Sequence, residues 1–118
     1  MHEFSIASAV VATAVKHAAG RRVTVVSVRI GALRQVVPEA LEFAFGIVTR
    51  ETVCEGARLE WETVPLRVRC APCGGRTTEL ERPPFRCPAC GDGSVTVVSG
   101  EELEVESIEV EEALPCTA

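Results

Sequence analysis

Two Cys-x-x-Cys turns, Cys70-Ala-Pro-Cys73 and Cys87-Pro-Ala-Cys90, stand thirteen residues apart, and no other feature narrows the fold of this chain as far. Each turn presents two sulfurs, and a hairpin between the turns would bring all four to one ion. Four thiolates at tetrahedral corners suit Zn(II), which has no d-electron geometric preference. Four protein ligands also close the coordination sphere, so the expected role is structural. Gly74-Gly75 and Gly91 follow the pairs, where a knuckle turns back and backbone amides can face sulfur. Three other readings fit parts of the pattern. A rubredoxin-type iron centre uses similar spacing, two disulfides need an oxidising compartment, and a thioredoxin-like redox pair needs a βαβ setting. Cys54 and Cys116 fall outside the spacing. Cys54 reads as a small buried hydrophobe and Cys116 as part of a frayed tail.

Six cysteines in 118 residues describe either a secreted disulfide scaffold or a reduced metal binder, and the compartment decides. A signal peptide starts with basic residues and continues in an unbroken apolar stretch. Here the chain opens on Met1-His2-Glu3, Ser5, Ser8 and Thr13 interrupt the apolar run, and Lys16 ends it. No stretch approaches the ~20 apolar residues that cross a bilayer. A cytoplasmic location with no membrane partner is expected, with thiols reduced and paired cysteines on metal. Apolar residues make up 47% of the chain, but with four Phe, one Trp and no Tyr the core must be aliphatic. The formal charge of −5 argues against a dedicated nucleic-acid binder.

Periodicity predicts a helix over residues 4–19, with Phe4, Ala7, Val11, Ala14, Val15 and Ala18 on one face and Gly20 as its stop. The β-branched run from Val23 to Ile30 predicts a strand with Thr24, Val26, Val28 and Ile30 on one face, broken by Gly31. Pro38-Glu39 suits a first helical turn, and Leu41, Phe45 and Val48 continue one face to about residue 50. A strand follows over 57–64, then a loop-rich insert from Pro65, then strand patterns at 95–98 and 103–110. In the last, Leu103 and Val105 share one phase and Ile108 and Val110 the other, which predicts a bulge near Ser107. The fold class is therefore α/β: a small sheet of about three strands with two helices, plus an inserted four-cysteine zinc-knuckle subdomain. Residues 1–64 and 99–118 would form the α/β domain and 65–98 the zinc-binding insert. The insert has few large apolar residues, so metal binding would also be its folding energy. Seven of the seventeen acids lie in the last eighteen residues. They suit a solvated edge strand protected from edge pairing, or a docking surface for a basic partner.

His2 is unusual for its place rather than its type. The amine of Met1, the backbone nitrogens of His2 and Glu3, and the His2 imidazole can reach one ion through small chelate rings, and nitrogen in a square plane suits Ni(II) or Cu(II). From the residues alone an incidental exposed histidine is the commoner reading.

The sequence resembles the HypA/HybF family of hydrogenase-maturation nickel chaperones over nearly its whole length. The resemblance rests on Met1-His2-Glu3 with Ser5, Ile30-Gly31, Pro38-Glu39-Ala40-Leu41 leading into Phe43-Ala44-Phe45, and Glu55-Gly56-Ala57. It continues in the two Cys-x-x-Cys-Gly turns and in Gly100-Glu101-Glu102-Leu103 running into Ser107-Ile108-Glu109-Val110-Glu111. Phe4 replaces an aliphatic residue, and Cys54 is no part of the pattern. The resemblance implies a nickel metallochaperone that delivers Ni(II) for assembly of the [NiFe] hydrogenase active site, and in some members for urease. It implies that His2 is the essential nickel ligand, assisted by Met1 and Glu3, so that residues 1–64 and 99–118 are the nickel-binding domain and nickel is exchangeable. Cys70, Cys73, Cys87 and Cys90 would hold structural zinc. The implied partners are a nickel-binding GTPase of the same pathway and the hydrogenase large subunit. A zinc-ribbon nucleic-acid module is the alternative, since Arg67, Arg69, Arg76, Arg82 and Arg86 make the insert basic. Apart from Phe85, however, no aromatic residue stands among them for stacking. No enzyme is expected, because the only other histidine, His17, lies near the end of the first helix as an exposed residue beside no readable nucleophile motif.

Overall fold

The computed structural model describes residues 2–81, 85–91 and 93–111, so Met1, Arg82 and Cys116 lie outside what is described below. The first helix, α1, spans His2–Ala18 and buries Ile6, Ala7, Val10, Val11, Ala14 and Ala18. Four of these belong to the stripe anticipated from the sequence. Phe4 and Val15, anticipated on the same face, are exposed instead. Apolar residues cover so much of this helix that periodicity permits two neighbouring stripes, and tertiary packing selects one.

That second helix, α2, spans Pro38–Val48 and buries Leu41, Ala44 and Phe45. Pro38 at its start has no amide to satisfy, but the preceding Val37 has no side chain able to cap. The missing acceptor comes from α1, where the buried Glu3 carboxylate accepts the Val37 amide at 3.2 Å. A capping-box acid does the same from within its own helix. Here it arrives from another helix and ties the two N-terminal ends together. Hydrogen bonding, with the Val37 amide among the donors, is the main cause that holds the Glu3 carboxyl down at about 2.

Strand β1, Val23–Gly31, is central in a sheet ordered β2-β1-β6, where β2 is Arg58–Val64 and β6 is Leu103–Val110. Being central, β1 buries Val23, Val25, Val26, Val28 and Ile30 from both faces, while Thr24 is exposed and gives its hydroxyl to the Glu109 carbonyl. Of the face expected to hold Thr24, Val26, Val28 and Ile30, the last three are buried and Thr24, near the strand's start, is not. The edge strand β2 alternates as anticipated, with Leu59 and Trp61 half-buried between exposed Arg58, Glu60 and Glu62. Along β6 the half-buried positions are 103 and 105, then 108 and 110, so the inward phase changes at Glu106–Ser107.

The insert is less irregular than its composition suggests. Strands β3 (Leu66–Cys70), β4 (Arg76–Leu80) and β5 (Val95–Ser99) form a second three-stranded sheet ordered β4-β3-β5. Both neighbours run antiparallel to β3, with Leu66 opposite Leu80 and Cys70 opposite Arg76, and the β3–β5 register shifts between Arg67 and Val68. Two of these strands, β3 and β4, were not anticipated. No helix among the described residues is long and apolar enough to cross a membrane.

Contacts divide the chain into two compact units. One comprises Val36–Glu62 with the described parts of Met1–Val28 and Glu104–Ala118, and the other comprises Arg29–Gln35 and Thr63–Leu103. Within the second unit, the Gly31 amide donates to the Glu102 carbonyl at 2.7 Å and the Leu33 amide to the Gly100 carbonyl at 2.8 Å. The backbones approach so closely that a Cβ at position 31 would overlap the carbonyl of Gly100, whose own Cβ would meet the Leu66 Cα at 2.9 Å. Backbone cannot swing aside as a side-chain tip can, so glycine is required for this approach.

Two stability predictions follow from this packing. Gly31→Ala should lower the thermal midpoint by at least about 10 °C in a calorimetric scan; a midpoint within about 2 °C of the parent would mean that the two segments do not meet. Glu3→Ala should lower the urea midpoint because the Val37 amide loses its acceptor, and Glu3→Gln, which keeps an oxygen, should recover part of the loss. Coincident unfolding curves for the parent and Glu3→Ala would rule out a stabilising role for this contact.

Candidate metal centres

Strand β3 delivers Cys70 at its C-terminal end, buried in the sheet. The chain then turns through Ala71 and Pro72, and the Gly75 amide bonds back to the Cys70 carbonyl at 2.9 Å before β4 begins. In the second turn the Gly91 amide bonds to the Cys87 carbonyl at 2.7 Å. Gly74, Gly75 and Gly91 have φ of 74°, 86° and 73°, so the glycines after each pair take the left-handed turn that side chains resist.

The two turns meet. All four sulfurs of Cys70, Cys73, Cys87 and Cys90 lie within 4.8 Å of one another. Cys70 Sγ is 3.6 Å from Cys90 Sγ, and Cys73 Sγ is 3.8 Å from Cys87 Sγ. A disulfide requires about 2.05 Å, so these are not disulfide geometries. A tetrahedron with metal–sulfur bonds of about 2.3 Å has edges of about 3.8 Å, which the two distances match. The donor set and its spacing therefore fit a tetrahedral, thiophilic ion.

Local electrostatics prepare the cluster unequally. Amides of Cys90 and then Ala89 donate to the Cys87 sulfur and bring its thiol down to about 7. Hydrogen bonding among the thiols, first with Cys70, pushes Cys73 up to about 12. Burial is the main cause raising Cys70, against the Cys73 amide that favours its thiolate. One sulfur ionises readily and its neighbours resist following, as like charges at this separation must. A divalent cation at the centre removes that resistance. Cys54 is completely buried, and burial raises its thiol, as suits a packed small hydrophobe.

At the N-terminus, His2 and Glu3 occupy the first turn of α1. Backbone N–H groups in a first turn have no acceptor in the helix ladder, and that of Glu3 donates to the Glu3 carboxylate. The two side chains are divided by burial. The His2 side chain is 52% exposed and that of Glu3 only 7%, with His2 Nε2 3.5 Å from Glu3 Oε2. The Glu3 carboxylate is thus already engaged with Val37, whereas the His2 imidazole faces solvent. The sequence carries a sign of this engagement, since a helix starting Val37-Pro38 has no cap of its own. His17 is exposed in the last turn of α1, as anticipated. In the insert, Arg67 lies 3.9 Å from Glu79 on the paired strand, so part of the insert's positive charge is met internally.

The chain as a whole is similar to known proteins. The family described as hydrogenase/urease nickel incorporation, metallochaperone, hypA matches residues 1–110. The hydrogenase maturation factor HypA of Geobacter metallireducens is 49% identical over 116 residues, covering 94% of this chain and 100% of that protein. The HypA of Nostoc punctiforme is 42% identical over 112 residues, covering 95% of this chain and 97% of that protein. The solution structure of the Ni metallochaperone HypA from Helicobacter pylori shares the fold with a TM-score of 0.67, covering 93% of this chain and 97% of that one at 24% identity. The chain belongs to the HypA family of hydrogenase and urease nickel-incorporation metallochaperones.

Proposed function

We propose that this chain carries Ni(II) at its N-terminus and delivers it for assembly of the [NiFe] hydrogenase active site, with urease as a second client, while a structural Zn(II) stays in the four-cysteine cluster. The observation that carries the proposal is the division at the start of α1, where the His2 imidazole is open to solvent and the adjacent Glu3 carboxylate is held. On this reading the nickel ligands are the Met1 amine, the His2 amide and imidazole, and the Glu3 backbone nitrogen, a set that suits a square plane. Glu3 then serves twice, its carboxylate fixing the helix start and its backbone offering a ligand. The chain works in the cytoplasm, where thiols stay reduced. Its partners are a nickel-binding GTPase of the maturation pathway and the hydrogenase large subunit. It catalyses nothing itself, and neither nucleic acid nor membrane is a partner.

Cys70, Cys73, Cys87 and Cys90 hold zinc on this proposal, supported by sulfur spacings near a tetrahedral edge. Elemental analysis of the purified protein should find one zinc per chain. The Cys70→Ser, Cys73→Ser double variant should lose it and loosen β3 and β4, because metal binding and folding are coupled in such a unit. Cys54→Ala with Cys116→Ala should keep it. Full zinc retention in the double serine variant would remove the assignment.

The nickel site is tested separately, in zinc-loaded protein. His2→Ala should abolish stoichiometric nickel binding in calorimetry while zinc content and circular dichroism stay unchanged, since the exposed imidazole supports no core. A peptide tag on the N-terminus turns the Met1 amine into an amide and should weaken binding as well. Equal nickel affinity in the parent and His2→Ala would defeat the proposal.

A further inference from the structure

The larger sheet ends in β6, and beside that edge α1 leaves a groove. We propose that this groove takes a basic, extended segment of a partner protein by strand addition to β6, seating one apolar side chain of the segment between β6 and α1. A cavity of about 220 Å³ lies there, with Ala14, Val105 and Ile108 as apolar walls, Thr13 and His17 at its rim, and Glu106 beside it. An apolar cavity of roughly 150 Å³ accepts a benzene ring, so this one has room for a leucine or valine side chain. The groove runs along the part of β6 where the inward phase changes, and Glu106 and Ser107 are both exposed there. A terminal strand offers main-chain hydrogen bonds, and a socket beside it gives side-chain selectivity, the two requirements of strand addition.

Charge chooses the occupant. Glu104, Glu106 and Glu109 are exposed along β6, and among the described residues no cation forms a salt bridge with Glu106 or Glu109. A second copy of the chain pairing through β6 would set glutamate against glutamate, which like charges oppose. Residues 112–118 of the chain, Glu-Ala-Leu-Pro-Cys-Thr-Ala, contain no Lys or Arg to offer. A foreign strand alternating Lys or Arg with apolar residues meets both the carboxylates and the socket. Edge protection alone would account for the charges, but it needs no socket.

The test uses the full-length, metal-loaded protein and two synthetic peptides, one alternating Lys with Leu and Val and one with Glu in place of every Lys. In an NMR titration the basic peptide should bind saturably, shifting the amides of residues 104–109 together with Thr13 and His17, and the acidic peptide should not bind. The Glu106→Lys, Glu109→Lys variant should bind the basic peptide about tenfold more weakly, or worse, and should accept the acidic one. Thr13→Phe, at an exposed helix position, should crowd the socket and weaken the basic peptide without changing the melting temperature. No saturable binding at millimolar peptide, shifts centred elsewhere, or affinity unchanged by either variant would overturn the proposal.

Discussion

Four sulfur atoms within 4.8 Å of one another set the terms for the smaller unit. Neutral thiols could pack so closely, but the amides donating to the Cys87 sulfur favour its thiolate, and each further ionisation works against the one before. The strands attached to the cluster cannot compensate for an unrelieved charge. β3, β4 and β5 are five residues each, and of the side chains in β3 only Leu66, Val68 and Cys70 are buried. Sheets this small are marginal without a staple. The cluster lies at the end of the only strand in this sheet that has two neighbours, so an ion there restrains both hairpin arms. On the proposed reading, metal occupancy and the order of this sheet are one equilibrium rather than two.

The N-terminus solves a different problem with two adjacent residues. A helix start has free amides and a positive dipole end, which suits an acidic side chain or any other electron-rich group. Glu3 supplies that acid and also reaches the start of α2, so the first turn of α1 is tied down by a part-buried contact. His2 is therefore presented from a rigid base while remaining open to solvent. A histidine one residue beyond an untethered helix end would lack that base.

What the sequence disclosed, and what it hid, follow from how local each determinant is. The four-cysteine cluster was legible because the spacing of its residues is itself the geometry. Helix and strand limits were legible within one or two residues, since Gly20, Gly31 and Pro38 interrupt them. The buried face of α1 was only partly legible. Ala7, Val11, Ala14 and Ala18 serve either of two stripes, and tertiary packing buries Ile6 and Val10 rather than Phe4 and Val15. β3 went unseen although Leu66, Val68 and Cys70 alternate with Arg67 and Arg69. Its last inward residue is a cysteine, whose place in a ligand motif masks its place in the alternation. β4, Arg-Thr-Thr-Glu-Leu, has no apolar alternation to find, because its order comes from pairing with β3. The Glu3–Val37 contact spans 34 positions and joins two helices, so no local pattern could specify it.

On the proposed reading, one small chain must keep one divalent ion and surrender another, and raw affinity alone does not arrange this. Divalent affinities rise toward nickel and copper at most nitrogen and sulfur sites, so a site selects by the shape it enforces. The sulfur cluster enforces a tetrahedron. Two turns fix its corners, Cys70 and Cys87 are buried, and every position is filled by protein, which suits zinc and resists the planar arrangement nickel favours with strong nitrogen donors. The N-terminus has the opposite properties. Its backbone nitrogens lie ahead of the helix ladder, its imidazole is half-exposed, and an acceptor can approach from the open side. Retention thus follows from closure and exchange from exposure, so the two ions are kept apart by geometry before any partner is involved.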